Sequence, residues 1–98
     1  MERKPNLILI MTDQQRMDTI RAMGHAHMVT PNLDRLVERG TVYHNAFCTG
    51  ATCIASRASL FTGLYPHNTG VYQFNRWAQH RSWMHDLSDA GYLSLIHI

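Results

Sequence analysis

The sequence predicts an α/β fold, a mostly parallel sheet flanked by helices, and three stretches carry that expectation. Leu7-Ile8-Leu9-Ile10-Met11 is continuously apolar rather than alternating, as a strand covered on both faces of a parallel sheet must be. Thr30-Pro31 followed by Leu33, Leu36 and Val37 and stopped by Gly40 has the cap, the first-turn proline and the spacing of an amphipathic helix. Thr41-Val42-Tyr43-His44-Asn45-Ala46-Phe47 then turns β-branched and aromatic, so a helix feeds a second strand.

The first strand is bounded by Pro5-Asn6 and by Thr12-Asp13, which puts Asp13 at its carboxyl end, the edge of an open α/β sheet where ligands collect. After the second strand, Ala55 to Phe61 reads as a helix ending at Gly63. Leu64-Tyr65-Pro66-His67-Asn68-Thr69-Gly70 reads as a turn-rich loop from its proline, asparagine and glycine. Ser82 is placed to cap a last helix carrying Trp83, Met84, Leu87 and Ala90, closed by Gly91. Tyr43, Phe47, Trp77 and Trp83 are the aromatic residues expected in a core or a cleft wall.

A chain of 98 residues, 45% of them hydrophobic, can bury the core of one small domain. Its net charge of +2 comes from scattered residues of both signs, without the basic run that tracks a phosphate backbone, so nucleic acid is not an expected partner. Cys48 and Cys53 are the only cysteines; their spacing lacks the second ligand pair of a structural zinc site, and Cys48 reads as a packing residue. The apolar run at 7–11 is too short for a signal sequence or a membrane span. With Met1 as the start, the expected location is the cytoplasm, with no membrane partner.

The chemistry is concentrated in Ala51-Thr52-Cys53-Ile54-Ala55-Ser56-Arg57. Residues four apart share a helix face, so Arg57 sets a permanent cation beside Cys53, at a helix end whose N–H groups favour anions. The plainer readings are a buried, inert thiol and a solvated arginine or partner of Asp34 or Glu38. Asp13 has a plain reading too, as the cap of the following turn. Seven histidines show no helical H-x3-H pair and read as solvated or packing residues.

The run Cys53-Ile54-Ala55-Ser56-Arg57-Ala58-Ser59-Leu60-Phe61-Thr62-Gly63-Leu64-Tyr65-Pro66 resembles the signature of the type I sulfatases, C-x-P/A-x-R followed by an A-S-L-x-T-G-x-Y-P segment. Pro5 to Asp13 is similar to that family's first strand and metal aspartate, and Thr30-Pro31-Asn32-Leu33-Asp34-Arg35-Leu36 to its T-P-N-L-D-x-L helix. The resemblance covers most of residues 5 to 92. It implies the N-terminal part of an alkaline-phosphatase-like α/β fold, with residues 1–98 as a partial catalytic domain.

The resemblance also implies a mechanism. Cys53 would be oxidised by a formylglycine-generating or radical sulfatase-maturating enzyme to formylglycine, an aldehyde that hydrates to a geminal diol. One diol oxygen, on a divalent cation such as calcium, would attack the sulfur of a sulfate ester and release the alcohol; the other would then expel sulfate. Cys53 and Arg57 would be the catalytic residues, and Asp13, Gln14 and Cys53 would face the metal. His67, Asn68 and Asn75 are candidates for touching the ester.

The pattern departs from the family at three points. Many members have a second aspartate where this chain has Gln14, which offers a neutral carbonyl oxygen and one charge less. The family's G-K-x-H segment is absent, because Gly91-Tyr92 runs into Leu93-Ser94-Leu95-Ile96-His97-Ile98, either a second core strand or sequence foreign to the domain. The later acidic metal ligand is absent as well. The implied activity is sulfuric ester hydrolysis; the alternatives are phosphonate or phosphate ester hydrolysis with the same nucleophile, and an inactive truncated fragment.

Overall fold

Helices and turns make up all the regular structure of the described residues, which in this computed structural model are 4–74 and 79–93. The chain divides into two units, Met1–His44 and Asn45–Ile98.

In the first unit two single 3₁₀ turns, Met17–Thr19 and Arg21–Met23, precede helix α1, Pro31–Arg39. Proline at its first position and Gly40 after its last bound α1 where the sequence predicts. Thr30 occupies the N-cap but does not cap α1 with its side chain. Its hydroxyl instead accepts the Arg21 N–H at 2.9 Å and donates to Asp34 Oδ1 at 2.9 Å, while the same carboxylate oxygen accepts the Ala22 N–H at 2.9 Å. One Thr–Asp pair on α1 thus satisfies the first free N–H groups of the preceding turn, groups that a helix cannot satisfy for itself. Nearby, the Arg16 guanidinium hydrogen-bonds Asp18 at 3.0 Å and holds its carboxyl below the ordinary value.

The second unit is built on α2, Cys53–Thr62, α3, Pro66–Thr69, and α4, Trp83–Asp89. The second helix starts two residues before the expected Ala55, because Thr52 is an N-cap whose hydroxyl accepts the Ala55 N–H at 3.3 Å. It ends as expected at Gly63, which takes the left-handed conformation at φ 71° and donates its N–H to Ser59 O. The segment expected as a loop contains a short helix: Pro66 and Gly70 bound α3 as a first-turn proline and a left-handed cap. On α4, the Ser82 N–H donates to His85 Nδ1 at 3.2 Å, and Gly91 turns the chain at φ 83°.

The core of this unit is small. Ala55 and Ser59 from α2, Pro66 and Thr69 from α3 and the fully buried Val71 form it. Trp83 brings α4 onto α2: its ring stacks on Phe61 at 5.7 Å and its indole N–H donates to Leu60 O at 3.0 Å.

The two expected strands do not form among the described residues. Residues 7–11 form no regular element and pair with no strand among the described residues, and Leu7, Ile8, Leu9, Ile10 and Met11 are all exposed, Ile8 to 85%. Residues 41–47 form an irregular segment with a turn at His44 and Asn45; Tyr43 is exposed, and Phe47, exposed as well, lies in the wall of a cavity rather than in a core. A parallel strand exists only when neighbours pair its backbone and helices cover its faces, and the described residues offer the run at 7–11 neither. Trp77 and the tail residues 94–98 lie outside the described residues.

Candidate active site

Cys53 is the first residue of α2 and is exposed. Thr52 before it is extended, at φ −105° and ψ 150°, and Ser56 N–H makes the first intrahelical bond to Thr52 O at 3.0 Å. The N–H groups of Cys53 and Ile54 therefore lie ahead of that first bond, at the positive end of the helix. Arg57 follows one turn later, half-buried, on the face that bears Cys53.

Two contacts seat this end of α2. The Thr52 hydroxyl donates to Tyr72 O at 3.2 Å, besides accepting the Ala55 N–H. Gly50 packs so closely on the first turn that a Cβ there would lie 2.8 Å from Ala55 Cβ and 3.1 Å from Ser56 N. Neither Thr52 nor Gly50 is among the residues expected from sequence. Starting the helix at Ala55 hid the cap, although a threonine next to the cysteine was the available signal.

A neighbouring face of α2 borders a cavity of about 350 Å³ lined by Phe47, Cys48, Thr49, Ser56, Ser59, Leu60, Gly63, Leu64 and Tyr65. Cys53 and Arg57 are not in its lining. Cys48 lines it while remaining exposed, so it is not the buried packing residue expected. Ser59 Oγ is buried, with no hydrogen-bond partner among the described residues.

His67 and Asn68 lie on α3, both exposed; His67 stacks on Tyr65 at 5.7 Å, and the Asn68 N–H donates to Tyr65 O. Asn75 lies outside the described residues. Asp13 and Gln14 form a bend in the first unit, where Gln14 sits at φ 52°, the only residue besides glycine with a positive φ among the described residues. A side chain in that region costs roughly 1–2 kcal/mol, which is retained where something fixes the conformation. Among the described residues, no three His, Cys, Asp or Glu side chains are grouped to hold a metal ion.

The sulfatase family profile matches residues 5–97 of the chain. This chain belongs to the sulfatase family. An arylsulfatase of Clostridium perfringens is 37% identical over 92 residues, a match that covers 91% of the present sulfatase chain and 19% of the relative. A human N-sulphoglucosamine sulphohydrolase is 35% identical over 96 residues, covering 91% of this chain and again 19% of the relative. An extracellular sulfatase homologue of Drosophila melanogaster is 37% identical over 100 residues, covering 93% of this chain and 9% of the relative. The chain thus spans a fifth or less of the length of these relatives. No solved structure matches it significantly.

Membership carries the family's alkaline-phosphatase-like α/β class, although no strand of it forms among the described residues. The cytoplasmic expectation is overturned, since a sulfatase so similar in this region is named for the extracellular space. A short apolar run at 7–11 was not a sufficient reason to place the chain. Among the described residues no helix is long and apolar enough to cross a membrane.

Proposed function

We propose that this chain is the N-terminal part of a sulfuric ester hydrolase whose nucleophile is made from Cys53. The observation that carries the reading is the position of Cys53: exposed at the first turn of a capped helix, with Arg57 one turn on, inside the C-x-A-x-R segment. Formylglycine at this position would supply a hydrated aldehyde oxygen as the attacking atom. Arg57 would bind and orient the sulfate oxygens, and the N–H groups that open α2 would add a second set of donors to the anion. His67 and Asn68 would bear on the ester from α3.

The donor set of Asp13 and Gln14 fits a hard divalent cation, calcium first, but only in part. A carboxylate and one amide carbonyl offer three oxygens at most, whereas calcium takes six to eight. The rest of the shell would come from other parts of a longer protein, as would the strands that pair with residues 7–11. A bound cation would supply positive charge at the sulfate and at the nucleophilic oxygen. Residues 1–98 alone would then hold an incomplete site without turnover.

The test is to express the full-length protein with a formylglycine-generating or radical sulfatase-maturating enzyme. The mass of the peptide containing Cys53 is then measured, together with hydrolysis of an aryl sulfate and an aryl phosphonate. Replacing a thiol by an aldehyde lowers the peptide mass by about 18 Da, and that loss is expected together with sulfate release. Active protein whose Cys53 remains an unmodified thiol would remove the reading, and phosphonate hydrolysis alone would move it to the other ester class.

A further inference from the structure

We propose that Thr52 is a positioning residue for the side chain at 53; the inference rests on the reading of Cys53 as the source of the nucleophile. The Thr52 hydroxyl uses both of its capacities, accepting the Ala55 N–H at 3.3 Å and donating to Tyr72 O at 3.2 Å. The first bond fixes where α2 begins. The second ties that beginning to a segment twenty residues further along the chain.

That segment is itself anchored. Val71, just before Tyr72, is fully buried, and its N–H donates to Thr69 Oγ1 at 3.3 Å, while the Thr69 hydroxyl reaches back to Pro66 O at 3.2 Å. Tyr72 O is thus the end of a chain of bonds running from the buried face of α3, and Thr52 passes that anchorage to the residue next to Cys53. The side chain at 53 is exposed at the very start of the helix. Its position follows that of the backbone that carries it, and the Thr52 hydroxyl ties that backbone to Ala55 and Tyr72. Misplacing a reacting atom by about 1 Å can cost about 100-fold in rate.

Valine has the shape of threonine and neither bond. The experiment is to prepare Thr52→Val, Thr52→Ser and Thr52→Gly in the full-length protein with a maturation enzyme, and to measure the converted fraction of Cys53 by mass. Turnover of an aryl sulfate is then expressed per converted site. Thr52→Val is expected to lower kcat per converted site about tenfold or more with KM little changed, because positioning acts in the transition state. Thr52→Ser, which keeps the hydroxyl, is expected to restore most of the loss. Thr52→Gly guards against misfolding: glycine is nearly as good an N-cap, so it retains the helix and should still lose turnover.

An unchanged kcat per converted site in Thr52→Val or Thr52→Gly overturns the inference, as does a serine variant as slow as the valine one, and each leaves the nucleophile reading intact. Absence of the aldehyde from active wild-type protein removes that reading, and the role of Thr52 goes with it.

Discussion

Gly50→Ala should loosen the N-terminal end of α2, which carries Cys53. Gly50 is not among the glycines with positive φ, so its backbone is open to alanine and the restriction is one of space alone. The added Cβ would stand 2.8 Å from Ala55 Cβ, 3.1 Å from Ser56 N and 3.3 Å from Ala55 C. These are helix backbone atoms and the side chain of a residue only 3% exposed, and none is the yielding tip of a long side chain. Overpacking of this kind costs about 1–3 kcal/mol, and the lower chain entropy of an unfolded alanine returns about 0.4–1 kcal/mol. The net expectation is a loss on the order of 1 kcal/mol, concentrated in the first turn. Amide exchange across α2 in the full-length protein reads it locally, where a loss of about 1.4 kcal/mol is a tenfold drop in protection. Ala55→Gly alone costs about 1 kcal/mol as a helix defect, yet in the double variant it removes the shortest contact, so the pair should be less damaging than the sum. Unchanged exchange in Gly50→Ala, or strict additivity in the double variant, would show that the close approach exerts no pressure on the helix.

The remaining predictions concern Asp13 and Gln14, the proposed cation ligands, and the brace on α2. Asp13→Asn in the full-length protein is expected to weaken calcium binding about tenfold or more by removing a charge from the site, with Gln14→Ala weaker in effect; equal and negligible changes in a calcium titration would return Asp13 to a turn cap. Gln14→Gly is expected to separate two roles, lowering calcium affinity like Gln14→Ala while raising stability by roughly 1 kcal/mol through relief of the positive φ. If thermal unfolding shows no gain, that bend carries no strain. Trp83→Phe keeps a ring to stack on Phe61 but leaves Leu60 O without the indole donor, and should cost about 0.5–1.5 kcal/mol in denaturant unfolding. A loss near zero would mean that water replaces the indole.

What was legible in the sequence was what neighbouring residues decide among themselves. Pro31 and Gly40 mark α1, Gly63 stops α2 and Ser82 opens the last helix, because caps and first-turn prolines act within a few residues. The same local chemistry bounds α3, where Pro66 and Gly70 suit a turn-rich loop by composition but stand as far apart as the ends of one helical turn. Thr30 shows the limit of such rules: it holds the cap position, yet its hydroxyl serves Arg21 and Asp34, and only the fold of the first unit could reveal that. In the candidate site, Cys53 and Arg57 were legible because both lie on one helix. Thr52 as a cap was within reach of the same local rules, but its bond to Tyr72 O and the close approach of Gly50 to the first turn of α2 were not, because packing sets those partners.

The strands separate pattern from structure. Leu7 to Met11 has the composition of a strand covered on both sides, yet its five apolar side chains are exposed, an arrangement that a soluble domain rarely leaves uncovered. Sequence pattern states what a segment needs, and only the rest of the sheet can meet that need. A chain spanning 19% of a relative such as the Clostridium perfringens arylsulfatase has most of that relative's length outside it. The proposal of a longer sulfatase accounts for two features at once: an apolar run with no partner strand among the described residues, and Asp13 and Gln14 with too few oxygens for the ion they suit. Both are completed by the same means, since the strand that carries Asp13 would be fixed by the sheet that brings the remaining ligands to its carboxyl edge.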